Sequence, residues 1–108
     1  MKRAFISQPM KGKSEAQIRK ERESAVLFLN AKGYTVVDSV FTGFATDQKD
    51  NAPLKHLAKA IDLIADVDIV YFMNGFDASR GCLIEHSVCL DYGIAVMYEC
   101  ADPILEKV

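Results

Sequence analysis

The chain has 108 residues, half of them hydrophobic and about a quarter charged, with a net charge of −2. That length suits one domain, 1–108, and not two. The charge balance leaves no basic footprint for duplex nucleic acid, and no run reaches the roughly 18 apolar residues of a membrane span.

The opening residues Met1-Lys2-Arg3-Ala4-Phe5-Ile6-Ser7 turn polar too soon for a signal peptide. Cys82, Cys89 and Cys100 are an odd set without metal-ligand spacing. We therefore expect a cytoplasmic protein with reduced thiols, no metal and no cofactor.

Residues 3–7 read as a short buried strand, followed by the loop Gln8-Pro9-Met10-Lys11-Gly12-Lys13. Ser14 opens a helix, with Gln17 three residues on as a capping box. The helix runs to about Lys32, with Ile18, Ala25, Val26 and Leu29 on one face. On another face Glu15/Arg19 and Arg19/Glu23 stand at pairing distance. Residues 35–39 form a second strand and 41–52 a polar loop. Pro53 suits the first turn of a second helix, whose Leu54, Leu57, Ala58, Ile61 and Ile64 recur at helical spacing. The third strand spans 68–73, and the third helix runs from Ser79 to about Tyr92. Residues 94–98 are the fourth strand, and 101–108 make a tail helix or an arm for a neighbouring subunit.

The order is βαβαβαβ, and the strands are continuous apolar runs, as in a parallel sheet covered on both faces. This predicts an α/β fold: a small flavodoxin-like three-layer arrangement with about four parallel strands in the order 2-1-3-4. Ligands in such sheets bind beyond the carboxyl ends of the strands at the switch point, here between strands 1 and 3. The loops there are Ser7–Lys13 and Asn74–Arg80. Four strands make a thin core, so we expect a homodimer or higher homo-oligomer.

Glu85 sits in the second turn of the third helix, near Cys82, Cys89 and Tyr92 on the wheel. Helical side chains lean toward the N-terminus, so its carboxylate reaches back over the loop. Partly desolvated, it serves as a nucleophile or base; otherwise it is an exposed glutamate favoured by the helix dipole. Ser79 caps the helix. Gly81 costs about 1 kcal/mol against alanine, which points to close approach by a ligand or a packed strand. Arg80 is either a clamp for phosphate or carboxylate or a solvated side chain. Ser7, Gln8, Met10 and Gly12, with Lys11 and Lys13, suit a hydroxylated or phosphorylated ligand, although the loop is neither a P-loop nor a dinucleotide fingerprint.

Among the remaining acids, Asp68 reads as structural, and Asp62 and Asp66 as the solvated side of the second helix. Asp77, in the site loop, is the preferred second carboxylate, because glycoside cleavage wants an acid near the leaving group. His56 and His86 have no obvious partner, and the cysteines read as helix packing.

Phe5-Ile6-Ser7-Gln8-Pro9-Met10-Lys11-Gly12 together with Ser79-Arg80-Gly81-Cys82-Leu83-Ile84-Glu85 resembles the nucleoside 2-deoxyribosyltransferase-like superfamily. Within it the chain is most similar to a small branch common in Gram-positive bacteria and their phages. The resemblance runs nearly end to end and includes Ala65-Asp66-Val67-Asp68-Ile69-Val70-Tyr71. It implies a flavodoxin-like fold, oligomers whose neighbours help complete the site, and cleavage of the N-glycosidic bond of 2′-deoxynucleosides or their monophosphates. It also implies a nucleophilic glutamate, which Glu85 matches. Ser7, Gln8, Met10, Gly12, Ser79, Arg80 and Gly81 match the places that hold the sugar and any phosphate, and we group Gly75 with them. Relatives often place a tyrosine where this chain has Phe5, and some carry an aspartate in the register of Ala60.

The expectation is therefore N-glycosidic cleavage or deoxyribosyl transfer on a deoxynucleoside or its 5′-monophosphate. Glu85 would be the nucleophile, and Asp77 would protonate or orient the base. The alternative is a non-catalytic nucleotide-binding or sensor module. Neither duplex nucleic acid nor a membrane is expected as a partner.

Overall fold

The structure, a computed structural model, describes residues 2–37 and 52–99. Four strands, β1 (Lys2–Ser7), β2 (Tyr34–Val36), β3 (Ile69–Phe72) and β4 (Ala95–Tyr98), alternate with three helices, α1 (Glu15–Ala31), α2 (Ala52–Ile64) and α3 (Arg80–Asp91). The strands pair in parallel in the order β2-β1-β3-β4. This is the predicted α/β flavodoxin-like order, with its switch point between β1 and β3.

All four residues of β3 are buried, and its alternation splits the core in two. Ile69, Tyr71 and Met73 join Ala4 and Ile6 of β1 beneath Ala25 and Leu29 of α1. Val70 and Phe72 join Phe5 beneath Ala60 and Ile64 of α2 and Cys89 of α3. The two sets of contacts put α1 on one face and α2 with α3 on the other. Asp68 fixes the β1–β3 register: its Oδ2 accepts from the Arg3 N–H at 2.7 Å, and its own N–H donates to the Arg3 carbonyl at 2.9 Å. The structural role read for Asp68 holds, with a backbone partner 65 residues away in sequence.

The helix starts follow the sequence. Ser14 Oγ accepts from the Gln17 N–H, and Glu15 pairs with Arg19 at 2.7 Å. Pro53 lies in the first turn of α2. The buried stripe of α2 differs from the expected one. Leu54 and Ala58 are exposed, whereas Ala60 and Ile64 are buried and Leu63 packs beside them. The buried contacts of α2 lie in its C-terminal half. Strand β2 begins at Tyr34, one residue early, and its predicted end at 38–39 lies outside the described residues, as do the loop from 41 to 51 and the tail 101–108. No helix among the described residues is long and apolar enough to cross a membrane.

Leu29 is completely buried on the sheet-facing side of α1, whereas Leu27 is 65% exposed. Leu29→Ala should cost about 2–5 kcal/mol of stability, and Leu27→Ala no more than about 0.5 kcal/mol, read as urea midpoints.

Candidate functional site

The site gathers where β1 and β3 end. Ser7 is the last residue of β1, 1% exposed and in register with Phe72. Its Oγ donates to Glu85 Oε1 at 2.6 Å. Ser79 is the N-cap of α3, its Oγ accepting from the Cys82 N–H at 3.4 Å. That cap sets the helical phase, so Cys82, Glu85 and Cys89, spaced by three and four residues, turn inward together.

Glu85 is 9% exposed. Burial pushes its carboxyl from the ordinary 4.5 to about 6, against the Ser7 hydrogen bond, which favours the charged form. Desolvation therefore outweighs the single bond. Burial also raises both thiols; the Glu85 charge adds to this, and Cys89 reaches about 11. The cysteines are neutral packing groups at neutral pH, as the sequence suggested.

The other predicted residues fall into two groups. Gln8 is buried, and its Nε2 donates to the Ile18 carbonyl at 2.8 Å, tying the first loop to α1; its Oε1 is buried without a partner. Met10 is half-buried, and its carbonyl accepts from the Lys13 N–H across a turn in which Gly12 has φ +81°. Gly75, at φ +92°, begins the turn after β3, and a Cβ there would lie 3.6 Å from the Pro9 ring. The two crevice loops therefore meet at Pro9 and Gly75.

Asp77 and Arg80 are exposed. They line a shallow concavity of about 500 Å³ along the outer face of α3, with Leu83, Ile84 and Asp91. Among the described residues no hydrogen bond joins Asp77 to Glu85. A Cβ on Gly81 would meet nothing within 4 Å, so no strand among the described residues requires the glycine.

Three features escaped the sequence reading. Residues Phe76–Ala78 form a short 3-10 turn within the Asn74–Arg80 loop. His86 has a partner after all: its Nε2 and the Tyr98 hydroxyl are hydrogen-bonded at 2.6 Å, within a cluster that includes Phe72 and Phe76. A polar concavity of about 210 Å³ lies on the α1 side of the same edge, between Lys13, Glu21, Ser24, Asn74 and Glu99. There Lys13 and Glu21 pair at 2.8 Å, and Glu99 accepts from the Asn74 N–H at 2.7 Å. Applying the carboxyl-edge rule to β4 would have found Glu99. Among the described residues no group of three His, Cys, Asp or Glu could hold a metal ion.

The profile of a family described as a domain of unknown function, DUF4406, matches residues 2–98. No curated protein and no solved structure matches the chain.

The burial of Glu85 has a pH signature. Between about pH 4.5 and 6 the folded chain holds a proton there that the unfolded chain has lost, so this group's contribution to stability falls as pH rises. The loss is complete above the folded value and amounts to about 2 kcal/mol. Wild-type stability minus that of Glu85→Gln should therefore drop by about 2 kcal/mol from about pH 4 to about pH 7, read from paired urea titrations.

Proposed function

The chain belongs to the DUF4406 family, and from the site at its carboxyl edge we propose that it is an N-glycosidase or deoxyribosyltransferase of the nucleoside 2-deoxyribosyltransferase-like superfamily. Its substrate would be a 2′-deoxynucleoside or the 5′-monophosphate. The Glu85 carboxylate attacks C1′ of the sugar. The C1′–N bond breaks, and its electrons pass to the base nitrogen, which takes up a proton. Water or a second base then attacks C1′ and releases Glu85.

The supporting observation is the Ser7–Glu85 pair at the switch point, with a carboxylate that is buried, held by one short bond and ionised above about pH 6. A desolvated carboxylate is a stronger nucleophile than a hydrated one, and the hydrogen bond fixes its direction. Ser7 is a positioning residue in this scheme. The loops at Gln8–Gly12 and Gly75–Ser79 border the same edge and suit a sugar.

One set of observations favours the second reading, a nucleotide-binding module without turnover. Phe5 and Ala60 lie in one apolar cluster with Cys89, and Asp77 lines the outer face of α3. The two positions where relatives carry a tyrosine and an aspartate are thus apolar here, and the leaving base lacks those two groups.

Incubation with a panel of deoxynucleosides and their 5′-monophosphates, read by chromatography, tests the proposal. Wild type should release free base, and Glu85→Gln should lose about 10²-fold or more of that rate. Equal release by both would sink the nucleophile assignment, and a ligand-dependent thermal shift without release would establish the second reading. With turnover in hand, kcat/KM should rise with pH through about 6 as Glu85 ionises. Ser7→Ala removes the bond that favours the charged form, so its rising limb should move to higher pH.

A further inference from the structure

Cys82 stands one turn before Glu85 on the inward face of α3 and is buried. Burial raises its thiol, so the sulfur keeps its proton at neutral pH. That sulfur is hydrogen-bonded to two hydroxyls, those of Ser7 and Ser79. Ser79 Oγ also accepts from the Cys82 N–H, and Ser7 Oγ lies 2.6 Å from Glu85 Oε1. Ser79, Cys82, Ser7 and Glu85 therefore form one hydrogen-bonded line from the helix cap to the carboxylate.

Proton counting fixes the direction of that line. An ionised carboxylate only accepts, so the single proton of Ser7 goes to Glu85. Ser7 then has only lone pairs left for the sulfur, and their contact is a hydrogen bond only if the thiol donates. The thiol has one proton as well, so the Ser79 hydroxyl must donate to the sulfur. One arrangement remains: Ser79 O–H to Cys82 Sγ, Cys82 S–H to Ser7 Oγ, and Ser7 O–H to Glu85.

We propose that Cys82 is a positioning residue, whose thiol proton holds the Ser7 hydroxyl turned toward Glu85 and supports the ionised carboxylate through it. Hydrogen bonds in series polarise one another, so a weak first donor strengthens the short last bond. With Glu85 protonated, its own O–H can serve Ser7 and the direction is no longer forced. The thiol's support therefore belongs to the charged form. Among the described residues, the groups that face Glu85 are Cys82 and Cys89 from α3 and Ser7 from β1, while Lys13 of the first loop acts on the Cys82 thiol. From α2, the apolar Ala60 and Ile64 pack in one cluster with Cys89. The kinetic consequence of this role rests on the proposed reaction; the ionisation of Glu85 does not.

NMR titration of the Glu85 side-chain carboxyl in the ligand-free chain tests the proposal, because a packing role and a donor role predict opposite signs. If Cys82 only fills space, Cys82→Ala admits water and Glu85 falls from about 6 toward 4.5. With the thiol as donor, Cys82→Ala should instead raise it by about half a pH unit. Cys82→Ser supplies a stronger donor and should lower it. Both effects should vanish in a Ser7→Ala background, where the line is broken. The rising limb of kcat/KM should follow Glu85 in each variant. No rise in Cys82→Ala, or an equal rise with and without Ser7, would overturn the proposal. If Cys82→Ala does not fold, the Cys82→Ser comparison carries the test, and a fall that persists without Ser7, or no fall with it, is the overturning result. A chain without turnover would sink the catalytic reading, and the titration would still settle the role of Cys82.

Discussion

A carboxylate stripped of most of its water and left with one short hydrogen bond is the constraint around which the candidate site is built. Glu85 has exchanged solvent for a Ser7 hydroxyl at 2.6 Å and the company of two neutral thiols. Its carboxyl stands above the ordinary value, so the burial costs more than the bond returns. A residue retained for stability alone would be expected to be apolar here, as its neighbours Cys82 and Cys89 are. That imbalance makes Glu85 a functional candidate on physical grounds, independent of any family likeness.

The carboxyl edge of the sheet divides into two environments. On the α3 side the wall is dry: Phe5, Ala60 and Cys89 pack together beside the elements that carry Ser7 and Glu85. On the α1 side it is polar, with Lys13 and Glu21 paired and Glu99 tied to the Asn74 backbone. The Lys13 ammonium, with Gln17, holds the Glu21 carboxyl below its usual range, so this rim stays charged at neutral pH. A ligand entering between the loops would therefore meet charge on one hand and a low-dielectric wall on the other. That asymmetry suits a molecule with a polar sugar end and a flat base.

The sheet order was legible because it depends on features that sequence records directly: continuous apolar runs, crossover length and handedness. The inward phase of Glu85 was legible for a related reason, since Ser79 fixes where the helix starts. The same phase accounts for the exposure of Arg80. Five residues before Glu85, at about 100° per residue, it points about 140° away around the helix. Asp77 was harder to place, because it precedes the helix and its direction is set by the 3-10 turn at Phe76–Ala78. The His86–Tyr98 contact joins two elements through tertiary packing, and no spacing in the sequence encodes it. The buried stripe of α2 shifted because periodicity gives a helix its apolar face but not the depth at which each turn meets the sheet.

The Asp68 clamp on Arg3 has a consequence for how the molecule assembles. Every strand pairing here is parallel, and the β1–β3 pair closes across more than 60 residues. Ser7 and Glu85 are 78 residues apart and meet only after that closure and the docking of α3. Loop closure of that span precedes the contacts that reward it, which slows folding relative to a helical bundle of the same size. The Ser7–Glu85 pair is therefore a late contact, made only where β1, β3 and α3 have come together.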